Sequence, residues 1–565
     1  MKMNFQNIIQ VLVVLAILLV INLLSGKFNI YADLTEDKIF TLEESTEQLL
    51  EDVDEKVLIE VLLSGDLDAQ FVMLQNRVLE LLKQFKSINS NIDFIISNPS
   101  DGTVKEANSV KENLRKDGII PRTIFIQEKD QRVEKLIYPY AIINLGNRRI
   151  PVNLLEGIQR GEDETMAINR SVVLLEYKFA SNIQKLISKR VPNIVFTKGN
   201  GELIEEQTAM LETMLSKTMA TNRINLDSTF QISQNVDVLI VARPTQEISL
   251  RNRFIIDQYI MNGGKVIWFI DQFYIDLDSI SVNKNYLPKP INHGLDDLFF
   301  KYGVRLNKNV VLDLENTKLP QVYGYSGGKP QQQLFSWVYH PLLVPNPENP
   351  IVKNIDRVAS TFPSTIELLD TRGNLMSTPL LTSSRYSRYQ VYPSINISFE
   401  IMRIEQKIEA YNKSYLPTAV IVEGEFESFF KNRVSSAMSE TLKNIDASFV
   451  EKSKPTSQIF VTDSDIIKNL YDAKSNRISP LGFNKWEGYV YEGNQDFIIN
   501  AIDYLIDDYG LVDSRSKNLK VRLLDNVEIR ENKLKWQLIN IILPLMIVVL
   551  GGLAFNYIRK KKFAA

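Results

Sequence analysis

A multidomain α/β ectodomain flanked by one transmembrane helix at each end is the fold class the sequence predicts, from three observations. An apolar run lies near each terminus, a strand–helix–strand pattern follows the first run, and compact apolar strands alternate with helical segments through the larger second part. The first pattern predicts a thioredoxin-like N-terminal unit and the second a doubly wound, Rossmann-like domain. The expected organisation is an anchor over 1–26, the thioredoxin-like domain over 27–160 and a linking helix over 161–190. The larger α/β domain follows over 191–515 with a Pro-rich insertion near 318–350, then a membrane-proximal segment over 516–535 and a transmembrane helix with a basic tail over 536–565. At 565 residues the chain exceeds what one hydrophobic core supports, and about three folded units fit its length.

Ile8–Leu24 (IIQVLVVLAILLVINLL) is interrupted only by Gln10 and Asn22, and as a helix it reaches about 26 Å, a short span. A cleaved signal peptide is the rival reading, but Ile30 and Tyr31 around Ala32 make a poor small-x-small cleavage site, which favours an uncleaved anchor. Leu538–Tyr557 supplies a longer apolar run followed at once by Arg559, Lys560, Lys561 and Lys562. The basic cluster places the C-terminus in the cytoplasm, and a second span returns the N-terminus there, leaving the ectodomain outside. Pro544, Gly551 and Gly552 lie inside the second span. Small residues let another helix approach closely, although Gly and Pro are also simply commoner in membrane helices.

After the first anchor, Thr41 stands three residues before Glu44 as an N-cap candidate for a short helix. Val57–Ser64 reads as a strand, Phe71–Phe85 as an amphipathic helix and Ile92–Ser97 as a second strand, so the pair should run parallel. A helix end at Gly118 and Pro121 precedes a further strand, and Ala141–Leu145 and Arg149–Leu154 flank Gly146-Asn147 as a hairpin. A proline before the third strand fits the thioredoxin-like reading, yet without cysteine such a unit cannot do dithiol chemistry and serves as a platform.

A helical pattern over Thr165–Lys189 links to the second domain, whose strands are Ile194–Thr197, Val236–Ala242 and Lys265–Ile270, with helical segments over Leu203–Met219 and Leu250–Met261. Six prolines between Lys318 and Pro350, with Gly327-Gly328, read as a long loop or insertion. Ala419–Glu423, Gln458–Thr462 and the helix Gln495–Ile506 are placed to complete the same sheet, with Phe426–Lys454 a mobile insert.

Composition narrows the function. Lys plus Arg is 65 against 68 for Asp plus Glu, so clustered phosphate-neutralising charge is missing and no nucleic acid is expected. The absence of cysteine excludes disulfides, thiolate metal sites, a catalytic thiol and a lipidated cysteine. His293 and His340 are the two histidines; they form no H-E-x-x-H motif, and a surface role or none is the default for each. No Walker A motif occurs, so the chain should not hydrolyse ATP by itself. No enzyme activity, metal or cofactor is expected.

In an open α/β sheet, ligands bind beyond the carboxyl ends of the strands. The residues there are Gly199, Asn200, Gly201 and Glu202 after the first strand, Asp271 after the third, and Asp463 and Asp465 after the last. If the strands share a sheet, four acidic side chains gather at one edge, a set suited to a hard cation or to sugar hydroxyls. The plainer reading is turn and capping chemistry, with Glu202 favoured by a helix N-terminus.

Several stretches, in order, resemble one family: YADLTEDKIFTLEEST, FTKGNGE, FIIDQYIMNGGKVIWFID, LDDLFFKYGVRLN, TAVIVEGEFESFFKNRV, IFVTDSDIIKN and PLGFNKWEGYVYEGNQDFIINAIDYLIDDYGL. They are similar to the GldG-like auxiliary component of the gliding-motility ABC transporter, over nearly the whole chain. The resemblance implies a noncatalytic subunit of the bacterial inner membrane with a periplasmic domain, working beside a separate cytoplasmic ATPase subunit and a membrane permease subunit. It brings no catalytic residues. The family pattern G-H-G-E is here Gly199-Asn200-Gly201-Glu202, and D-G-D is Asp463-Ser464-Asp465, so a site needing that histidine or that glycine is absent. The alternative function is an extracytoplasmic glycan- or peptide-binding module or a carboxylate-dependent hydrolase.

Overall fold

The computed structural model describes residues 41–128, 131–282, 285–369, 375–434, 448–472, 474–475, 477–516 and 533–563. The anchor expected at Ile8–Leu24 lies outside the described residues, as does most of the membrane-proximal segment. The fold is mixed α/β with several sheets, divided into one unit ending at Lys517 and another beginning at Asn518.

The N-terminal sheet grows from a parallel pair. Strands β1 (Val57–Val61) and β2 (Ile92–Ile96) align Val57 with Ile92 through Val61 with Ile96, joined by helix α2 (Ala69–Ile88). Asp68 caps α2 by accepting from Gln70 N and Phe71 N, and Phe71, Leu74, Val78, Leu82 and Phe85 form its buried stripe at helical spacing. Helix α1 (Glu44–Glu51) precedes β1. Its N-cap position is held by Glu43 rather than Thr41, and Glu43 N donates to Glu176 Oε1 at 2.8 Å, so a tertiary carboxylate supplies a local cap's service.

A capping box between Thr103 and Glu106 starts α3 (Val104–Lys116). The strand after Pro121 is not the third strand of the sheet: β3 (Arg122–Glu128) pairs only with β4 (Gln131–Ile137) as a separate hairpin. The sheet is completed by β5 (Tyr140–Leu145) and β6 (Arg148–Asn153), in order β2-β1-β5-β6. Helix α4 (Glu164–Ile187) packs onto it, placing Leu175, Phe179 and Ile183 in one core with Leu49, Phe85, Ile143 and, from far along the chain, Leu511.

In the larger sheet, β7 (Asn193–Lys198), β8 (Ala220–Asn225), β9 (Val238–Ala242) and β10 (Lys265–Phe269) run parallel, with α5 (Glu205–Leu215) and α6 (Leu250–Met261) between them. Residues of β9 are buried on both faces: Val238, Ile240 and Ala242 enter one core, Leu239 and Val241 the other, the pattern of a sheet covered on both sides. Next come β11 (Asn309–Asp313), β12 (Asn316–Ser326), β13 (Lys329–Pro345), β14 (Leu375–Thr382), β15 (Ser387–Val391), β16 (Pro417–Gly424), β17 (Thr456–Val461) and helix α7 (Glu492–Ile506). The strand order is β12-β13-β14-β16-β17-β10-β9-β7-β8.

Two expectations are corrected. The proline-rich stretch is no loop: β12 and β13 pair from Asn316 to the tip at Ser326 and Lys329. Gly327 and Gly328 make the turn at φ +57 and +77, the left-handed pair a two-residue hairpin requires. Pro320 is tolerated because β12 is an edge strand with register shifts near Lys318 and Val322, and Pro330 lies beside the turn; Pro341 and Pro345 fall in β13, with Pro345 at its end. Nor is Phe426–Lys454 a free insert where it is described, since Phe426, Phe429 and Phe430 are core residues. Asp257 on α6 holds them by accepting from Ser428 Oγ at 2.7 Å and Phe429 N at 2.8 Å; residues 435–447 lie outside the described residues.

In the second unit, α8 (Lys533–Phe563) contains Gln537–Lys561, a 25-residue stretch long and apolar enough to cross a bilayer and the one such helix among the described residues.

Candidate functional site

The carboxyl edge of the parallel strands is where the larger sheet concentrates buried charge. Register pairs Phe269 on β10 with Val461 on β17, so the positions just beyond bring Asp271 beside Asp463 and Ser464. Asp271 accepts from Ser464 N at 2.8 Å and Ser464 Oγ at 2.9 Å. Asp463 caps the short turn after β17 by accepting from Asp465 N at 2.9 Å.

Arg243, the residue directly after β9, ties the carboxylates together. Its backbone sits at φ 60 and its N–H donates to Phe269 O at 2.8 Å. Its guanidinium lies 3.0 Å from Asp271 and 3.5 Å from Asp465. Lys468 reaches Asp465 at 3.2 Å. Both cations meet Asp465 Oδ1, which makes no hydrogen bond and is held by charge alone.

Above the cluster passes the strap Arg357–Thr365. Ser360 Oγ and Thr361 N both donate to Asp463 Oδ2 at 2.6 Å, and Thr361 Oγ1 donates to Asp465. His340, packed 4.6 Å from Trp337 between ring centroids, stands near enough to Asp465 to feel its charge. Burial holds the His340 imidazole down at about 4 against that attraction, so it is neutral.

The three carboxyls are driven apart in acidity. Burial, then repulsion from Asp465 and Asp271, pushes Asp463 well above the ordinary range. Burial also raises Asp271 against the pull of Arg243. For Asp465, burial is outweighed by Lys468 and Arg243, which hold it below the ordinary range. Carboxyls pushed apart in acidity within one cluster are the raw material of an acid–base pair. Here, however, Ser360 and Thr361 bond Asp463 Oδ2, Thr361 bonds Asp465 Oδ2 and Ser464 bonds Asp271, so the arrangement as it stands ties the strap to the sheet edge. A substrate reaches Asp463 by displacing Ser360 and Thr361, whereas the Asp465 side chain keeps 31% of its surface exposed.

Of the four acids expected at this edge, three meet. Glu202 accepts from Asn200 N at 2.6 Å and, among the described residues, shares no hydrogen bond or ion pair with the trio. Asn200 O accepts from Thr245 N and Gln246 N. Gly199 and Gly201 have φ +114 and +79, and a Cβ on Gly201 would lie 2.0 Å from Thr245 Oγ1. This turn is packed against the next loop. Pro544, Gly551 and Gly552 lie within α8, where a Cβ on either glycine would meet nothing within 4 Å.

Sequence reasoning missed Arg243, Ser360, Thr361 and Lys468. Arg243 was visible by the same logic as Asp271, being the first residue past a parallel strand; the strap comes from a distant segment that no local pattern connects to β17. The histidines are corrected too, since His293 is 1% and His340 4% exposed. His293 Nδ1 accepts from Leu295 N at 3.1 Å, which leaves Nε2 as the donor toward Gln272 at 3.2 Å. Turning the Gln272 amide so that Oε1 faces this donor also satisfies a buried oxygen that otherwise has no partner. Among the described residues no group of three or more Asp, Glu or His side chains is disposed to hold a metal ion.

A cavity of about 600 Å³ lies away from the trio, lined in part by Tyr177, Lys185, Lys265, Asp503 and Tyr509. Within it Lys185 pairs with Asp503 at 2.9 Å and Lys265 donates to Leu505 O.

Residues 191–501 match the family described as an ABC-type uncharacterized transport system, and the chain belongs to that family. Membership makes it an auxiliary component of an ABC-type transport system and implies association with transporter components; with the apolar helix Gln537–Lys561 it is membrane-associated. Residues 36–144 match a domain of unknown function, DUF7088. An uncharacterized protein of Borreliella burgdorferi (strain ATCC 35210 / DSM 4680 / CIP 102532 / B31) is 24% identical over 557 residues, covering 94% of this chain and 93% of that protein. The solved mmIFT52 N-terminal domain is similar over 56% of this chain and 97% of its own, at 10% identity and a TM-score of 0.30, too low to bear on the fold.

Proposed function

We propose that the chain is a noncatalytic, bilayer-anchored subunit of an ABC transporter of the GldG-like gliding-motility type. In this reading α8 docks on a permease subunit, a separate cytoplasmic subunit supplies ATP hydrolysis, and the N-terminal thioredoxin-like platform and the larger doubly wound domain present partner or cargo surfaces in the periplasm. A second span near the N-terminus puts both termini in the cytoplasm of the bacterial inner membrane. The observation that carries the reading is one chain joining a domain of the transport-system family to a bilayer-length helix. Pro544, Gly551 and Gly552 suit close approach of another helix. Purifying the tagged full chain from gently solubilised membranes tests the subunit role, and absence of both ATPase and permease in several mild detergents ends it. Deleting the gene tests the narrower claim: colonies that still glide remove gliding motility and leave the subunit role standing.

A second reading has its own support, the gathering of Asp271, Asp463 and Asp465 around Arg243 at a strand-end edge. Under it the edge binds a glycan or peptide, or hydrolyses one through its carboxyls, once the strap moves. Ligand binding to the native state alone raises the unfolding temperature by mass action. No shift with a broad panel of glycans, peptides and divalent cations removes this reading.

A further inference from the structure

The β12–β13 hairpin continues as a free two-stranded ribbon beyond Leu319 and Phe335. Outside that point no further strand lies beside it among the described residues, β13 meeting β14 only at Val344 and Pro345. It extends roughly 20 Å to its Gly327-Gly328 tip. Isolated ribbons are marginal in water, so the side chains on its faces matter.

Register divides those faces. Pro320 pairs with Leu334, Val322 with Gln332 and Tyr325 with Pro330, which places Pro320, Val322, Tyr325, Pro330 and Leu334 on one face, with Gln332 as its one amide. The bulge between Val322 and Gly324 is what brings Tyr325 to this side, since an unbroken strand would put it opposite. The other face carries Gln321, Gln331 and Gln333. Tyr325 is 76% and Tyr323 62% exposed. From Asn316 to Pro347 the chain has no acidic residue and two lysines, Lys318 and Lys329, neither with an ion pair among the described residues. The bulges, Pro320 and Pro330 blunt the ribbon's edges against strand addition. What remains to be covered is a mainly apolar face carrying Tyr325 and Lys318, with Lys329 beside the tip on the glutamine face.

We propose that this ribbon lies on the surface of an anionic phospholipid bilayer, with the Pro320, Val322, Tyr325, Pro330 and Leu334 face toward the acyl boundary. Tyrosine rings settle at the headgroup level, an amphipathic element lies in the interface with its apolar face down, and unpaired lysines are drawn to anionic lipid. An acidic protein surface would match the lysines but not the apolar face, and a second copy of the ribbon would oppose lysine to lysine. The inference uses membrane association alone, so its failure leaves the transporter reading untouched.

The cysteine-free sequence makes the test clean. Full chain carrying Ser326→Cys, labelled with an environment-sensitive dye, is reconstituted in phosphatidylcholine vesicles with and without phosphatidylglycerol, using lipids brominated on the acyl chains as quenchers. The dye should be quenched when phosphatidylglycerol is present, and the Lys318→Glu, Lys329→Glu double variant should lower the equilibrium constant for ribbon docking by roughly 30-fold or more. Emission that brominated lipid leaves unchanged overturns the proposal. So does quenching that survives charge reversal, or dye–dye self-quenching in detergent, which would put a second copy on this face.

Discussion

Arg243 concentrates two opposing costs in one residue. Its guanidinium is the near countercharge for Asp271 and a long one for Asp465, yet its backbone occupies the left-handed region at φ 60. Removing one partner of a largely buried ion pair leaves the other uncompensated, so Arg243→Ala should cost about 3 kcal/mol. Arg243→Gly loses the same charge but relieves the backbone, and should cost about 1 kcal/mol less. Denaturant titration of the two variants checks this, and equal losses would remove the strain argument. Asp463 gives a second test, read in pH. Its folded value lies above the ordinary 3.8, so the folded state holds the proton more tightly. That contribution is whole below about pH 3.8 and is lost as pH climbs through the folded value. In Asp463→Asn the amide must turn a donor toward Asp465 N–H or Thr361 N–H, which lowers stability at every pH. As pH rises above about 4, however, the wild type should lose stability relative to this variant, and parallel profiles would contradict the assignment.

At the scale of elements, the strap is held from two sides, by the carboxyls and by the first turn of α7. Ala359 N donates to Asn494 Oδ1 at 2.8 Å, and Asn494 Nδ2 donates to Ala359 O at 2.9 Å and Ile466 O at 3.2 Å. Gly493 lets the helix approach, since a Cβ there would lie 2.4 Å from Asp356 O. Asn494→Ala should therefore cost about 2 to 3 kcal/mol through backbone groups left unpaired, with faster hydrogen exchange at Ala359; unchanged exchange there would contradict the clamp. None of this was legible in sequence, because a buried asparagine bridging residues 359 and 466 leaves no periodic trace. What was legible followed burial. Strands β1, β7, β9, β10 and β17 are compact apolar runs because their sheets cover them, and α2 showed its stripe because one face is buried. Edge strand β8, reading Ala-Thr-Asn-Arg-Ile-Asn, is half-exposed and polar and escaped notice. The β12–β13 hairpin reads as a loop in sequence because it carries Pro320 on the edge strand and Pro330, Pro341 and Pro345 on β13, residues that ordinarily break strands. At the candidate site, Asp271, Asp463 and Asp465 were legible from their place after strands, whereas Glu202 satisfies the same rule and belongs to a separate turn.

Across the whole molecule, the family domain and the bilayer-length helix belong to one chain, and their union defines its working place. In the polar cluster, Asp463 is taken up by Ser360 and Thr361, whereas an exposed ribbon offers a mainly apolar surface. These features suit a subunit that holds and presents better than one that turns over a substrate. The most direct measurement is native mass spectrometry of the assembly purified on a tag carried by this full-length chain. The account predicts this chain in fixed stoichiometry with a permease and an ATPase subunit, and loss of that complex but retention in the membrane when Gln537–Lys561 is replaced by an unrelated apolar helix. The chain found alone, or only with further copies of itself, in every mild detergent would contradict it.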